Sequence, residues 1–313
     1  MESEAAFHTS NLPYFHPSNP LSFHPLFDEA FLYKLERLSI LSRRAMAGQL
    51  QGERRSPKRG QSVEFADFRP YTPGDDFRRI DWNAYARLER FFLKLFVEEE
   101  DLTVHLLVDT SRSMDWGQPN KLWYAVRAAG ALGYIALASL DRVTVSAFGQ
   151  QVDETFPPHR GKQQAMALFA FLQGLTPQTD TDLRTALRGY ATTATHPGPL
   201  LLISDLLDDG WRDGLNALAI RGFEVTVLHL LSPDETDPPL SGDLKLLDVE
   251  TGEPVEITAD YDLLARYRQG LAGWQDELRA FCGGRGMNYV TVTTDVPFEE
   301  LILSFLRRRG VLR

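Results

Sequence analysis

Residues 102–114 read LTVHLLVDTSRSM, and the order of residues in this stretch decides the fold. LTVHLLVD is an almost unbroken apolar run closed by an acid, as expected of a parallel strand buried on both faces. Asp109, Ser111 and Ser113 then recur at alternate positions. An extended loop leaving the strand can therefore turn all three side chains toward one point. Outward from this stretch, similar apolar runs predict strands at 102–109, 141–148, 200–206, 223–231 and 287–293. Between and after them, helices are predicted near 121–140, 162–174, 182–194, 211–221, 260–281 and 298–309. Strand and helix in alternation imply an α/β fold, a mainly parallel sheet with flanking helices. The segment LKLLDVETGEPVEIT interrupts the alternation as a hairpin turning at Thr251-Gly252.

A chain of 313 residues, 43% hydrophobic and 24% charged, can bury a large core and a second, smaller unit. Its net charge of -10 opposes a role in coating nucleic acid, whose phosphates call for a basic face. Cys282 is the single cysteine, which rules out an intramolecular disulfide or a thiolate zinc cluster and suits a reducing compartment. The start, MESEAAFHTS, is acidic and lacks the basic and apolar regions of a secretion signal, so a cytoplasmic location is expected. The longest apolar stretch, residues 128–140, is too short to span a bilayer and reads as a core helix.

Four regions are expected. Residues 1–27, rich in Pro, His, Asn and Ser, form an extended arm. Residues 28–60 hold a helix begun by Asp28 and reaching about Ala47, then a basic linker with Arg54, Arg55, Lys58 and Arg59. Residues 61–100 form a small β-rich subdomain, in which SVEFADFRPY and LERFFLKLFVEEE supply strands on either side of the turn-rich YTPGDDFRR. Residues 101–313 hold the alternating α/β domain.

In an open α/β sheet, ligands gather at the carboxyl ends of the strands. Asp109 ends one strand, and Asp205 ends another and emerges beside it if the two strands are neighbours. Thr181 opens the helical segment TDLRTAL, where its hydroxyl can face the crevice while Leu183 and Leu187 turn inward. Thr179 is a rival, since TDTD repeats the spacing. Two carboxylates and three hydroxyls suit a hard cation such as Mg2+, with Mn2+ or Ca2+ as substitutes, and leave room for water. Ligation mainly by neutral hydroxyls keeps the ion electrophilic, so a carboxylate from a protein partner can complete it. A plainer reading has both aspartates capping helices and both serines satisfying loop amides.

The order DxSxS, then Thr, then Asp resembles the metal-ion-dependent adhesion site of von Willebrand factor A-type domains. That resemblance implies direct ligation by Ser111, Ser113 and Thr181, with Asp109 and Asp205 acting largely through water. Upstream, Glu64-Phe65, Arg69, Tyr71, Pro73-Gly74-Asp75-Asp76, Arg78, Ile80-Asp81-Trp82 and Ala86-Arg87 closely resemble the signature of the bacterial domain-of-unknown-function family numbered 58. That family joins the signature to an A-type domain, and the likeness runs from about Gly60 to Thr294. It implies a non-enzymatic interaction role beside a MoxR-type AAA+ ATPase, in protein assembly or cofactor insertion.

Asp75, Asp76 and Asp81 lie among Arg69, Arg78, Arg79 and Arg87, so ion pairs are a better reading for them than acid-base catalysis. Trp82 offers a large apolar anchor. The enzyme alternative is a metal-dependent phosphoester hydrolase or phosphotransfer enzyme using strand-end aspartates. Haloacid-dehalogenase-like enzymes need a second Asp where this chain has Ser111, and the sequence has no Gly-rich phosphate loop. His105 and His229 fall inside strands and read as core residues.

Overall fold

A computed structural model describes residues 33–35, 63–72, 77, 80–98, 103–178, 181–247 and 254–302. Several expectations lie outside the described residues: the arm at 1–27, most of the helix at 28–47 and the basic stretch 54–59. So do Pro73-Gly74 with Asp75, Asp76, Arg78 and Arg79, as well as Thr179, the Thr251-Gly252 turn and the end of the last helix.

The segment before the main sheet forms strand β1 (Val63–Pro70), helix α1 (Trp82–Leu88) and strand β2 (Phe92–Glu98), with β1 and β2 antiparallel. The two strands are as expected, whereas the helix is a correction. Asp81 starts it by accepting hydrogen bonds from the amides of Asn83 (2.9 Å) and Ala84 (3.2 Å). Trp82 is not a core anchor: it is 60% exposed and lies edge-on to Tyr85 and Phe91.

The alternating part runs β3 (Thr103–Asp109), α2 (Lys121–Ala138), β4 (Arg142–Phe148), β5 (Val152–Arg160), α3 (Ala165–Gly174) and α4 (Leu183–Thr193). It continues with β6 (Pro199–Ser204), α5 (Trp211–Arg221), β7 (Glu224–Leu231) and the single turn α6 (Pro233–Thr236). The hairpin β8 (Gly242–Leu247) and β9 (Pro254–Ala259), helix α7 (Tyr261–Gly283) and strand β10 (Asn288–Thr293) complete it. Five of the six strands in the main sheet are parallel, in the order β10-β7-β6-β3-β4, and β5 joins β4 antiparallel at the edge. This is the mainly parallel sheet expected of a von Willebrand factor A-like domain. Strand β5 was not expected from sequence. Its residues are mostly exposed and include Pro157 and Pro158, which only an edge strand or a bulge tolerates.

Alternate residues of each central strand feed opposite faces. Leu106 and Val108 of β3, Leu201 and Ile203 of β6 and Leu228 and Leu230 of β7 pack with α2 and α3. Leu107, Leu200, Leu202, Val225 and Val227 pack on the other face with Leu183 and Leu187 of α4, Leu215 and Leu218 of α5, and Leu278 and Cys282 of α7. The chain leaving β3 crosses one face through α2, and the chain leaving β6 crosses the other through α5. Between β3 and β6 the loops therefore part, opening the crevice in which such sheets bind ligands.

Candidate metal centre

Strands β3 and β6 pair in register from His105 opposite Leu200 to Val108 opposite Ile203, which sets Asp109 beside Ser204 at their ends. The Ser204 hydroxyl donates to Asp109 Oδ2 at 2.6 Å, and the Ser111 amide donates to Oδ1 at 2.9 Å. Asp109 is fully buried. Burial, and after it the negative charge of Asp205, pushes its carboxyl up to about 7 against the pull of Ser204 and Ser111. Ser111 and Ser113 are buried too, and their hydroxyl oxygens lie 3.1 Å apart. A 3-10 turn, Arg112–Met114, aims them, held down by the fully buried Met114.

Asp205 has a partner that sequence reading did not foresee. The ammonium of Lys121, the first residue of α2, donates to Asp205 Oδ2 at 2.7 Å and to Glu235 Oε1 at 2.5 Å. Lys121 has no exposed surface. Burial lowers its pKa, but Asp205 and Glu235 raise it by more, so the group stays charged. The Leu207 amide reaches Asp205 Oδ1 at 3.3 Å. Both aspartates thus accept a loop amide two residues on, but neither caps a helix: the elements that follow start at Ser111 and Gly210 without a side-chain cap.

Thr181 is brought to the strand ends by a separate loop. Its loop is pinned to the strand ends by the Gln178 amide on the Thr110 carbonyl (2.5 Å) and the Asp182 amide on the Gly149 carbonyl (3.2 Å). Thr181 lines an open cleft of about 730 Å³ with Gln150, Asp182, Arg184, Asp208 and Asp209, between the loops that follow β4 and β6. Asp182 caps α4 through the Thr185 amide at 2.8 Å, and this bond, with the Thr185 hydroxyl, lowers its pKa. The structure gathers Asp109, Ser111, Ser113 and Asp205 at one crevice and puts Thr181 on the cleft along the same sheet edge.

Among the described residues, no three His, Cys, Asp or Glu side chains are grouped to hold a metal ion. A cation here must lean on hydroxyls and water. A buried Asp109 that feels the negative charge of the neighbouring Asp205, beside a converging hydroxyl pair, fits a hydrated hard cation. His105 bonds Tyr190 Oη (2.6 Å) and the His196 carbonyl (3.0 Å), and His229 bonds Tyr289 Oη (2.6 Å) and lies near Asp205 and Lys121. Burial lowers both histidines to about 4, so they are neutral core residues.

Sequence reasoning missed Ser204, Lys121 and Glu235. Lys121 had a faint signal, since it heads a helix that is otherwise almost wholly apolar, at the end where a cation opposes the helix dipole. Glu235 had a clearer one, because Ser232 and Glu235 form a capping box directly after β7.

The description "Protein of unknown function DUF58" matches residues 67–276. An uncharacterized protein of Mycobacterium tuberculosis, Rv1480, is 27% identical over 287 residues, 89% of this chain and 90% of its own length. MAV169 of Mycobacterium avium, also uncharacterized, is 31% identical over 134 residues, 42% of this chain and 79% of its own. Among solved structures, BatB from Bacteroides thetaiotaomicron aligns with a TM-score of 0.42 at 16% identity, covering 66% of this chain and 98% of that one. Proximal thread matrix protein 1 from the mussel byssus, with a zinc-occupied MIDAS motif, aligns at 0.39 and 15%, covering 67% and 47%.

Proposed function

The chain belongs to the DUF58 family, and from that footing we propose that it is a non-enzymatic adaptor whose strand-end crevice binds a divalent cation that a partner protein completes. The observation that carries this reading is the Ser111–Ser113 hydroxyl pair, set over the buried Asp109 at the point where the β3 and β6 loops part. Ser111, Ser113 and Thr181 would hold Mg2+, or Mn2+ or Ca2+ in its place, with Asp109 and Asp205 reaching it through water. The ion would supply a positive charge only partly offset by its ligands, open to an Asp or Glu of the partner. This chain's residues do the rest: Ser204 and the Ser111 amide fix the Asp109 carboxylate, and Met114 fixes the serine turn.

The family resemblance points to a MoxR-type AAA+ ATPase as that partner. Ser111 stands where a haloacid-dehalogenase-like enzyme needs its second aspartate, which favours the adaptor over the hydrolase. The test is capture of the partner ATPase by the immobilised chain with and without EDTA, alongside Asp109→Ala. Capture is expected to fall with either change; equal capture throughout rejects the metal bridge, and metal-dependent turnover of a phosphoester would reinstate the enzyme.

A further inference from the structure

A buried lysine at the crevice calls for an explanation. Lys121 reaches Asp205 because two loops are pressed together: at Gly117 (φ 88°), an added Cβ would lie 2.4 Å from the Ser232 Cβ, so only glycine permits the approach. The loop that ends at Lys121 is thereby held against the start of α6. There the Ser232 amide donates to Glu235 Oε2 at 2.7 Å, leaving Oε1 for the ammonium. Tyr267 of α7 donates to the Glu235 carbonyl at 2.6 Å and steadies the same turn. The ammonium therefore has two anionic seats, one shared with the proposed cation and one outside it.

We propose that Lys121 competes with the divalent cation for Asp205, and that Glu235 is the seat that retains the ammonium once the cation has bound. The inference rests on the cation reading above. A monocation tethered at 2.7 Å from Asp205 neutralises a carboxylate that the cation needs and repels the cation directly. Without Glu235, the displaced ammonium would lose the other carboxylate that it contacts among the described residues, and a buried unpaired charge is costly. Cation affinity is thus set by a residue that is not itself a ligand, and occupancy in the cell depends on how much free cation is present.

The test is Mn2+ binding followed by electron paramagnetic resonance, on the full chain as wild type, Lys121→Met, Glu235→Gln and the double variant, with melting curves to establish folding. Asp109→Ala identifies the signal as this site's. Lys121→Met is expected to tighten Mn2+ binding by roughly tenfold or more. Glu235→Gln is expected to weaken it in the presence of Lys121 and to have little effect in its absence. Additive effects, or none, overturn the competition while leaving the cation reading in place. No site-specific Mn2+ binding in any folded form overturns both. If Lys121→Met does not fold, Glu235→Gln decides: weaker binding supports the proposal, and equal or tighter binding rejects it.

Discussion

Asp109 and Asp205 sit on adjacent strand ends, yet their surroundings treat them differently. Asp205 faces the Lys121 ammonium, whereas Asp109 faces hydroxyls, an amide and the negative charge of Asp205. Asp205→Asn would leave the ammonium buried with Glu235 alone, and a cost of roughly 3 kcal/mol is expected from breaking such a pair. Asp109→Asn should behave in the opposite sense. The folded pKa of Asp109, about 7, lies above its ordinary 3.8, so the ionised form is disfavoured in the fold. That penalty is absent below the lower value and complete above the upper one. In EDTA, the stability of Asp109→Asn relative to wild type should thus improve by roughly 3 kcal/mol between pH 5 and pH 8. Urea unfolding across that range measures it, and a pH-independent difference would contradict the assignment. Asp109, Ser111 and Ser113 were legible because one short loop carries all three. Lys121 and Glu235 meet only through tertiary packing, across 114 residues of chain, so no local spacing could announce the pair.

Among the elements, the central strands were legible for a simple physical reason: strands buried on both faces must be apolar throughout, and such runs stand out. The edge strand β5 has one neighbour and an exposed surface, so VDETFPPHR carries no such run, and its prolines argue against a strand. Helix α1 was hidden because its sequence, WNAYARL, is as aromatic as the strands around it, and its cap, Asp81, looked like one more charge. Helix packing gives the clearest expected contrast between two glycines. At Gly214 in α5, an added Cβ would stand 2.7 Å from the Leu183 carbonyl and 2.8 Å from Leu187 Cδ1. At Gly270 in α7 it would meet nothing within 4 Å. Alanine favours a helix over glycine by about 1 kcal/mol, and Gly270→Ala should gain most of that. For Gly214→Ala, the clash with a backbone oxygen that cannot move alone forces α4 and α5 apart, and overpacking of about 1–3 kcal/mol should outweigh the gain. Thermal melts of the two variants should move in opposite directions; a stabilised Gly214→Ala would mean the helices are not in the contact described.

At the scale of the whole molecule, alternation of strand and helix was enough to read the class of sheet, but not the strand order. That order depends on which way each crossover turns, and it is the order that sets β3 beside β6 and makes the crevice. Thr181 illustrates the limit. Its loop is long and is held at the strand ends by backbone bonds at Gln178 and Asp182, so its place on the cleft follows from the fold and not from its spacing to Ser113. A cation bound at such a crevice ties together loops from β3, β6 and the start of α4, which separate on unfolding. Binding to the folded state alone stabilises it, by roughly 1.4 kcal/mol when free cation is ten times its dissociation constant. For a domain of this size that amounts to a rise in melting temperature of about 3 °C. Scanning calorimetry with increasing Mg2+, matched in ionic strength by a monovalent salt, should show this rise in the wild type and not in Asp109→Ala. Equal melting curves in the two salts, at Mg2+ concentrations that sustain partner capture, would mean that the loops are not joined by an ion.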